Sequence, residues 1–245
     1  MDVGLKVTVL GCSGSFPGPG GACSGYLVED GSTRLWLDAG SGTLANLQRH
    51  IDLADLDAVV LSHEHPDHWT DLEGLHTVLR FVLERRDFPV YAPAGLRRHV
   101  YADMSPWVDW RDVTGGDRVE VGSLALTFSR TDHPPETLAV RVEGSVGGGP
   151  VLGYSADTGP RWSLEALGDG LDLALCEATI PSSMEGKMDH LSARQAGESA
   201  RAAGARQLVL THLWATLEPE QARREGAEAF GADVELAAVG RSWEL

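Results

Sequence analysis

The chain has 245 residues, enough to bury a hydrophobic core in one large α/β domain or in two fused halves. Its formal net charge of −16 disfavours a general RNA- or DNA-binding protein, because such proteins normally present a basic face to the phosphates. No apolar run approaches the roughly 20 residues that cross a bilayer. Composition therefore favours a soluble globular protein, and an acidic surface favours a small substrate over a polynucleotide.

The N-terminal residues and the cysteines indicate the cellular compartment. Residues 1–6 (MDVGLK) contain neither the basic segment nor the long apolar segment of a secretory signal, so we expect a cytoplasmic protein without membrane partners. Cys12, Cys23 and Cys176 are an odd number and have no CxxC spacing, which indicates neither a disulfide framework nor a cysteine zinc site.

The first half of the chain begins with strands. Strands are predicted at 6–11, 25–29 and 34–37, and Asp30-Gly31 is the expected hairpin turn between the second and the third. The glycine-rich segment Gly11–Gly21 between the first two strands has two interpretations, a loop that cradles a phosphate or a mobile loop at the rim of a site.

A second group of elements follows in the first half. The sequence predicts a short helix at 43–50 and a buried strand at 57–61. Apolar residues at helical spacing then predict a helix at 72–84. Further along, Trp107 and Trp110 lie in the segment SPWVDW, where they can stack on a base, enter a dimer interface or pack in the core.

The second half repeats the order of strands followed by helices. Strands are predicted at 124–129, 138–142, 151–155, 171–176 and 207–210, and helices at 163–167 and 192–203. An order of strands then helix that occurs twice predicts an α/β fold, a four-layer αββα sandwich of two pseudo-symmetric halves. No linker divides the chain, so we expect a single domain over residues 1–245.

The strongest chemical signal is the segment His63-Glu64-His65-Pro66-Asp67-His68, directly after the predicted buried strand. Imidazole nitrogens and carboxylate oxygens are suitable ligands for zinc and similar divalent ions, and a tight loop can turn several of them toward one point. A solvated polar loop rarely contains three histidines and an aspartate at HxHxDH spacing. The segment therefore predicts a metal site.

This HxHxDH motif resembles that of the metallo-β-lactamase superfamily, and the similarity extends over nearly the whole chain. It implies that the protein binds two divalent cations, with zinc as the expected metal and manganese or iron as alternatives. The resemblance implies the following ligands: His63, His65, His133 and Asp157 for one cation, and Asp67, His68, His212 and Asp157 for the other. Asp38, at the end of LWLDAG, would orient a ligating histidine, although an aspartate there can also simply cap a turn.

Other residues distinguish between branches of the superfamily. Asp157 counts against the β-lactamases that have HxHxDH, because they lack the bridging aspartate, and His65 counts against flavodiiron proteins, which have glutamate there. Glyoxalase II-type thioesterases have the same seven ligands and stay an alternative.

Two segments resemble motifs of ribonuclease Z and its relatives. LCEAT around Glu177 is similar to their HEAT-type motif, and DHLS around His190 is similar to their HLS/HST motif. The resemblance implies that His190 donates a proton or binds the phosphate, that Glu177 orients His190, and that both act with Asp67 near the scissile phosphate. From the residues alone, Glu177 is also a strand-end acid and Ser192 a helix N-cap.

The long tRNA-gripping arm of ribonuclease Z has no counterpart here, since only 24 positions separate His133 from Asp157. LGCSGS, SGYLV, LSHEHPDH, SADTG and LCEAT together resemble a compact branch associated with cyclic nucleotide phosphodiesterase activity. The resemblance implies a homodimeric dinuclear zinc phosphodiesterase that cleaves a small or cyclic nucleotide with a metal-activated water. The alternatives are a ribonuclease Z-like RNA nuclease, a glyoxalase II-like thioesterase or lactonase, and a non-enzymatic metal-binding module.

Overall fold

The structure is a computed structural model that describes residues 4–101 and 104–245. Residues 1–3, part of the segment from which the cytoplasmic location was predicted, lie outside this range. No helix in the described part of the chain is long and apolar enough to cross a membrane.

The described residues form fourteen strands and four α-helices. In chain order the strands are β1 (Lys6–Gly11), β2 (Gly25–Asp30), β3 (Thr33–Leu37), β4 (Ala58–Val60), β5 (Phe88–Ala92), β6 (Val108–Asp112), β7 (Arg118–Val121), β8 (Leu124–Arg130), β9 (Leu138–Glu143), β10 (Val151–Tyr154), β11 (Leu173–Glu177), β12 (Gln207–Thr211), β13 (Glu235–Leu236) and β14 (Ser242–Glu244). The helices are α1 (Thr43–Leu47), α2 (Leu72–Phe81), α3 (Ala193–Ala202) and α4 (Pro219–Phe230).

The strands form two mixed sheets with matching architecture. The first has the order β14-β1-β2-β3-β4-β5-β6, and the second has the order β13-β12-β11-β10-β9-β8-β7. In the first sheet β1, β2 and β3 are antiparallel and β3 to β6 are parallel. In the second sheet β7 to β10 are antiparallel and β10 to β13 are parallel. The predicted pseudo-symmetry of two halves is visible in this correspondence.

Three clusters of buried apolar side chains hold the layers together. The cluster between the two sheets contains residues of both, among them Val9 and Leu37 from the first and Leu126 and Leu175 from the second. A second cluster joins the first sheet to α2, and a third joins the second sheet to α3 and α4. The layers are therefore helix, sheet, sheet, helix, which confirms the predicted αββα sandwich.

Several boundaries differ from the prediction for local reasons. The helix predicted at 72–84 ends at Phe81, and Glu84 beyond it has a left-handed φ of 49°, which a helix cannot include. The helix predicted at 43–50 ends at Leu47. The helix predicted at 163–167 is a single 3₁₀ turn, Leu164–Leu167, that stops before Gly168 with φ 80°. Strands β5, β6, β7, β13 and β14 and helix α4 are additional elements that were not predicted.

Trp107 and Trp110 are partly buried and pack against the apolar cluster of the first sheet. The guanidinium of Arg86 lies 5.1 Å from the Trp107 ring. These contacts favour the packing interpretation of the two tryptophans.

Candidate metal centre

The predicted site residues lie at the ends of strands from both sheets. Asp38 follows β3, and the segment 63–68 follows β4. His133, Asp157 and His212 lie beyond β8, β10 and β12, and Glu177 is the last residue of β11. The strands that run parallel in each sheet end at the same edge, so their terminal side chains meet between the two sheets.

The backbone at this edge is strained. Asp38, Ala156 and His212 have left-handed φ values of 57°, 50° and 54°, although none of them is glycine. Such conformations persist only where the surrounding structure fixes them, and they concentrate at functional sites. All three residues are buried.

One group of ligands comes from the first two histidines of the motif and from the second sheet. His63 Nε2 lies 3.0 Å from His65 Nδ1, which lies 3.2 Å from His133 Nε2. With a carboxylate oxygen of Asp157, these nitrogens are all within 4.8 Å of one another. Three nitrogens and one oxygen around a single point match the tetrahedral donor set of zinc.

The second group contains the last two residues of the motif and His212. His68 Nε2 lies 3.2 Å from His212 Nε2, and Asp67 Oδ2 lies 3.2 Å from the same His212 nitrogen. Asp67 Oδ2 is also 3.5 Å from His68 Nε2. These three ligand atoms again fall within 4.8 Å of one another.

Asp157 lies between the two groups and turns one oxygen toward each. Its Oδ2 is 3.6 Å from His63 Nε2 and 3.9 Å from His133 Nε2. Its Oδ1 is 3.3 Å from His68 Nε2 and 3.4 Å from His212 Nε2. A carboxylate that bridges two cations has this arrangement.

Hydrogen bonds fix the tautomer of His63. The hydroxyl of Ser62 donates to Asp38 Oδ2 at 2.8 Å, so Ser62 Oγ accepts the proton of His63 Nδ1 at 3.0 Å. With its proton on Nδ1, His63 presents the lone pair of Nε2 to the cluster.

The same logic applies to His212 and His133. Thr179 Oγ1 donates to Glu177 Oε2 at 2.5 Å and therefore accepts from His212 Nδ1 at 2.7 Å. His133 Nδ1 donates to the carbonyl oxygen of Asp189 at 2.8 Å. In both rings Nε2 keeps its lone pair for a metal, as in other metal sites where a partner holds the second nitrogen.

Asp38 contacts a histidine of the motif, since its Oδ2 accepts a hydrogen bond of 2.8 Å from His68 Nδ1. His68 is fully buried, and burial alone opposes its protonated form. The carboxylates of Asp157, Asp67 and Asp38 outweigh this effect and raise the pKa of His68 well above its ordinary value.

The other histidines of the motif have the opposite shift. Burial lowers the pKa of His63 well below its ordinary value, and the neighbouring His68 adds to the effect. Burial and His133 lower the pKa of His65. Both imidazoles are thus neutral at pH 7, which is the state that binds a metal.

The residues present fit a pair of divalent cations. Among the described residues, Asp157 Oδ1 is a buried carboxylate oxygen without a hydrogen-bond donor, and an orphaned charge of this kind is costly. The three carboxylates that raise the pKa of His68 favour positive charge at this point, and a divalent cation supplies more of it than a proton.

Glu177 and His190 form a buried pair beside the cluster. His190 Nδ1 donates to Glu177 Oε1 at 3.1 Å, and Glu177 also accepts from the backbone N–H of Thr158 at 2.6 Å and of Leu191 at 3.3 Å. Although burial opposes protonation of His190, Glu177 raises the pKa of that histidine to about 9. A ring nitrogen of His190 is within 4.8 Å of ligand atoms of Asp157 and His212.

The resemblance implied that this pair acts together with Asp67 near the scissile phosphate. Within the described residues no hydrogen bond or ion pair joins Asp67 to Glu177 or His190, and the contacts of Asp67 are with His212, His68 and Ser15. His212 lies between them, since its Nε2 faces Asp67 and its Nδ1 donates to Thr179, the residue that donates to Glu177.

The Gly11–Gly21 segment contacts the cluster directly. The backbone N–H of Ser15 donates to Asp67 Oδ2 at 2.8 Å, and the indole N–H of Trp214 donates to Ser15 Oγ at 3.2 Å. Phe16, the next residue, is 49% exposed at the rim. The segment therefore contributes to the position of Asp67.

Sequence reasoning missed several residues that support the ligands. Ser62, Thr179 and the carbonyl of Asp189 each hold the second nitrogen of a predicted ligand. Ser62 precedes the motif directly and Thr179 ends the LCEAT segment, so their proximity to functional residues in the sequence was the available signal.

Comparison with known families agrees with this geometry. The profile of the beta-lactamase superfamily domain matches residues 33–213. The chain belongs to this superfamily.

Relatives within the superfamily align over almost the whole chain. A protein of Mycobacterium tuberculosis (strain H37Rv) is 35% identical over 260 residues, 99% of this chain and 93% of the relative. The probable metallo-hydrolase YhfI of Bacillus subtilis is 30% identical over 249 residues, 98% of this chain and all of YhfI. The crystal structure of YhfI matches with a TM-score of 0.90 over 98% of this chain and 99% of YhfI.

A ribonuclease Z of Methanopyrus kandleri is 29% identical over 264 residues, 94% of each chain. Together these matches identify a metallo-β-lactamase-fold hydrolase of the ribonuclease Z-like branch.

Proposed function

We propose that this hydrolase is a two-metal phosphodiesterase that cleaves a small or cyclic nucleotide phosphodiester. The observation that carries the proposal is the buried Glu177–His190 pair, which adjoins the shared carboxylate of Asp157. A thioesterase or lactonase needs the metal ligands but has no evident need for this pair.

In this proposal each cation has four ligands, with Asp157 common to both. The ligand sets are His63, His65, His133 and Asp157 for the first cation, and Asp67, His68, His212 and Asp157 for the second. When bound, the two cations neutralise charge on the phosphate oxygens and lower the pKa of a water molecule from 15.7 toward about 7. We expect zinc, with manganese and iron as alternatives that reconstitution can compare.

The residues of the chain then complete the reaction. Glu177 accepts a hydrogen bond from His190 Nδ1–H, so Nε2 is the ring nitrogen of His190 that is available to a substrate. We assign to His190 the protonation of the leaving alkoxide oxygen, a step that typically contributes about 10² to 10⁴ in rate. Asp38 orients His68, and Ser15 N–H holds Asp67.

Charge supports the small substrate. The chain has 36 acidic and 20 basic residues, so a polyanion meets repulsion over a long range. A cyclic nucleotide has one phosphodiester and one negative charge, which two cations in the centre can attract locally. The homodimer, the cytoplasmic location and the single domain over residues 1–245 also stay predictions.

A ribonuclease Z-like RNA nuclease is the second candidate, and the 29% identical ribonuclease Z of Methanopyrus kandleri favours it. It needs the same ligands and the same acid. It differs in requiring a basic path for the RNA chain, which the net charge of −16 does not indicate.

The test is turnover by the zinc-loaded protein of bis(p-nitrophenyl) phosphate, 3′,5′-cyclic AMP, a short RNA, a thioester and nitrocefin. We expect hydrolysis of the first two, lost on chelation. His190→Ala should lose that activity, whereas His50→Ala, an exposed histidine after α1, should keep it. Cleavage of RNA without cyclic AMP would select the nuclease, and activity only on the thioester would refute the phosphodiesterase proposal.

A further inference from the structure

Tyr154 is the last residue of β10 in the second sheet, and its side chain reaches a residue of the first sheet. The side chain is 2% exposed, and its hydroxyl donates to Asp38 Oδ2 at 2.7 Å. Asp38 follows β3, so this hydrogen bond joins the two halves of the molecule beneath the cluster.

The Asp38 carboxylate is almost fully occupied by donors. Its Oδ1 accepts from the backbone N–H of Ser62 at 2.7 Å. Its Oδ2 accepts from Ser62 Oγ at 2.8 Å, from His68 Nδ1 at 2.8 Å and from Tyr154. Ser62 and His68 both belong to the loop after β4 of the first sheet, whereas Tyr154 belongs to the second sheet. The Tyr154 hydrogen bond therefore connects the Asp38 carboxylate to the second sheet.

The second ligand group requires that the two sheets keep a fixed position relative to each other. His68 comes from the first sheet, whereas the atoms that face its Nε2 come from the second: His212 Nε2 at 3.2 Å and Asp157 Oδ1 at 3.3 Å. Asp157 is three residues beyond Tyr154 on the same chain segment. The segment after β10 therefore presents Asp157 and, through Tyr154, also holds the Asp38 carboxylate that orients His68.

We infer that Tyr154 is a positioning residue for the cation of the second group, acting through Asp38 on His68. The inference rests on the proposed two-metal function. Without the tyrosine hydroxyl, Ser62 and His68 still hold Asp38, but the carboxylate and the imidazole are free to shift together relative to His212 and Asp157. The affinity for the second cation then falls, and the ligand geometry around it changes.

The chain offers a matched control in Tyr26. Its side chain is fully buried, and its ring centroid lies 5.2 Å from that of Tyr154. Its hydroxyl also connects the sheets, through a 2.6 Å hydrogen bond to Thr211 Oγ1, but within the described residues it makes no hydrogen bond to Asp38 or to a residue of the two ligand groups. Tyr26→Phe and Tyr154→Phe therefore remove similar buried hydrogen bonds, and only the second removes a donor from the carboxylate that orients His68.

The experiment measures metal binding directly, without substrate. Metal-free Tyr154→Phe, Tyr26→Phe and wild-type proteins are titrated with Zn²⁺ against a competing chromophoric chelator, and the step lost in Asp67→Ala identifies the second group. We expect Tyr154→Phe to weaken that step by about tenfold, the lower end for partners of ligating residues, and to leave the other step unchanged. The Co²⁺-substituted variant should also show a changed visible absorption spectrum, because the geometry around the cation is altered.

A double-mutant comparison separates positioning from general packing. In an Asp38→Asn background, Tyr154→Phe should have little further effect on the second step. The inference is overturned if Tyr154→Phe binds Zn²⁺ like the wild type, or if Tyr26→Phe weakens the second step equally. If the wild-type protein binds zinc in two steps but does not hydrolyse phosphodiesters, the result counts against the proposed function alone. If the wild-type protein binds zinc in a single step, the basis of the proposed function and of this inference is removed.

Discussion

Gly14→Ala tests whether the N-terminal loop fixes the geometry of the proposed centre. A methyl group at Gly14 would lie 2.9 Å from His212 Nδ1 and closer still to the His212 carbonyl oxygen, whereas ordinary contacts begin at 3.4 Å. The backbone of a ligand-bearing residue occupies the space, so a rotamer change cannot relieve the overlap.

The loop cannot retreat without a second consequence. Gly14 N–H donates to the carbonyl of Leu213 at 2.9 Å, and Ser15 N–H donates to Asp67 Oδ2 at 2.8 Å. If the loop moved away, both hydrogen bonds would break and Asp67 would be released. If the loop stayed in place, the added methyl group would displace His212. Either way a proposed ligand moves by about 1 Å, a misplacement that can cost about 100-fold in rate.

The assay compares Gly14→Ala with Gly148→Ala, where an added methyl meets nothing within 4 Å. We expect the Gly14 variant to lose about 100-fold in kcat on bis(p-nitrophenyl) phosphate and about 1 to 3 kcal/mol of stability. The Gly148 variant should stay close to the wild type in both. Equal turnover and equal zinc content in the two variants would refute the reasoning.

Three further predictions concern the metals, the acid and the loop. His190→Ala should keep its metal content, measured by elemental analysis, while kcat falls by about 10² to 10⁴; a loss of metal would make His190 a ligand instead. Chelation should lower the Tm in calorimetry by about 10 to 20 °C, because each of the two ions at 100 times its Kd stabilises the folded state by about 2.7 kcal/mol. Trp214→Phe removes the donor to Ser15 Oγ and should weaken zinc binding about fivefold, which corresponds to the free energy of one hydrogen bond. An unchanged zinc affinity would contradict the proposal that this loop supports Asp67.

The elements that the sequence predicted have a clear apolar pattern, although β5 (FPVYA), which was not predicted, has one too. Strands such as β1 and β12 have consecutive buried residues, and α2 has a regular apolar face. Strands β6 and β7 lie at sheet edges and have charged, exposed positions, so their sequences VDWRD and RVEV lack that pattern.

Helix α4 escaped prediction for another reason. Apart from Phe230, its buried positions are the small residues Ala222 and Gly226, which add little to an apolar pattern. Helix α3 packs closely against α4, since a methyl added at Gly197 of α3 would lie 2.5 Å from the Gly226 carbonyl oxygen and 2.9 Å from Ala229 Cβ. Close approach of two helices selects small residues, and a hydrophobicity pattern does not register them.

For the proposed site, the residues alone predicted only the segment from His63 to His68. His133, Asp157 and His212 are single residues at strand ends, and their grouping followed from the resemblance to a family. The hydrogen bonds of Ser62 and Thr179 determine which imidazole nitrogen faces inward. These contacts depend on distances between loops that the order of residues does not contain.

Hydrogen bonding divides the four carboxylates of the centre into two kinds. Asp38 and Glu177 accept donors on both oxygens, so their charges are already stabilised by the protein. Asp157 Oδ1 has no donor among the described residues, and Asp67 Oδ2 has the N–H of Ser15 and faces two histidines. Because a charge held largely away from water requires compensation, we expect Asp157 and Asp67 to be the carboxylates that bind a cation. These contacts support the proposed division into metal ligands and positioning residues.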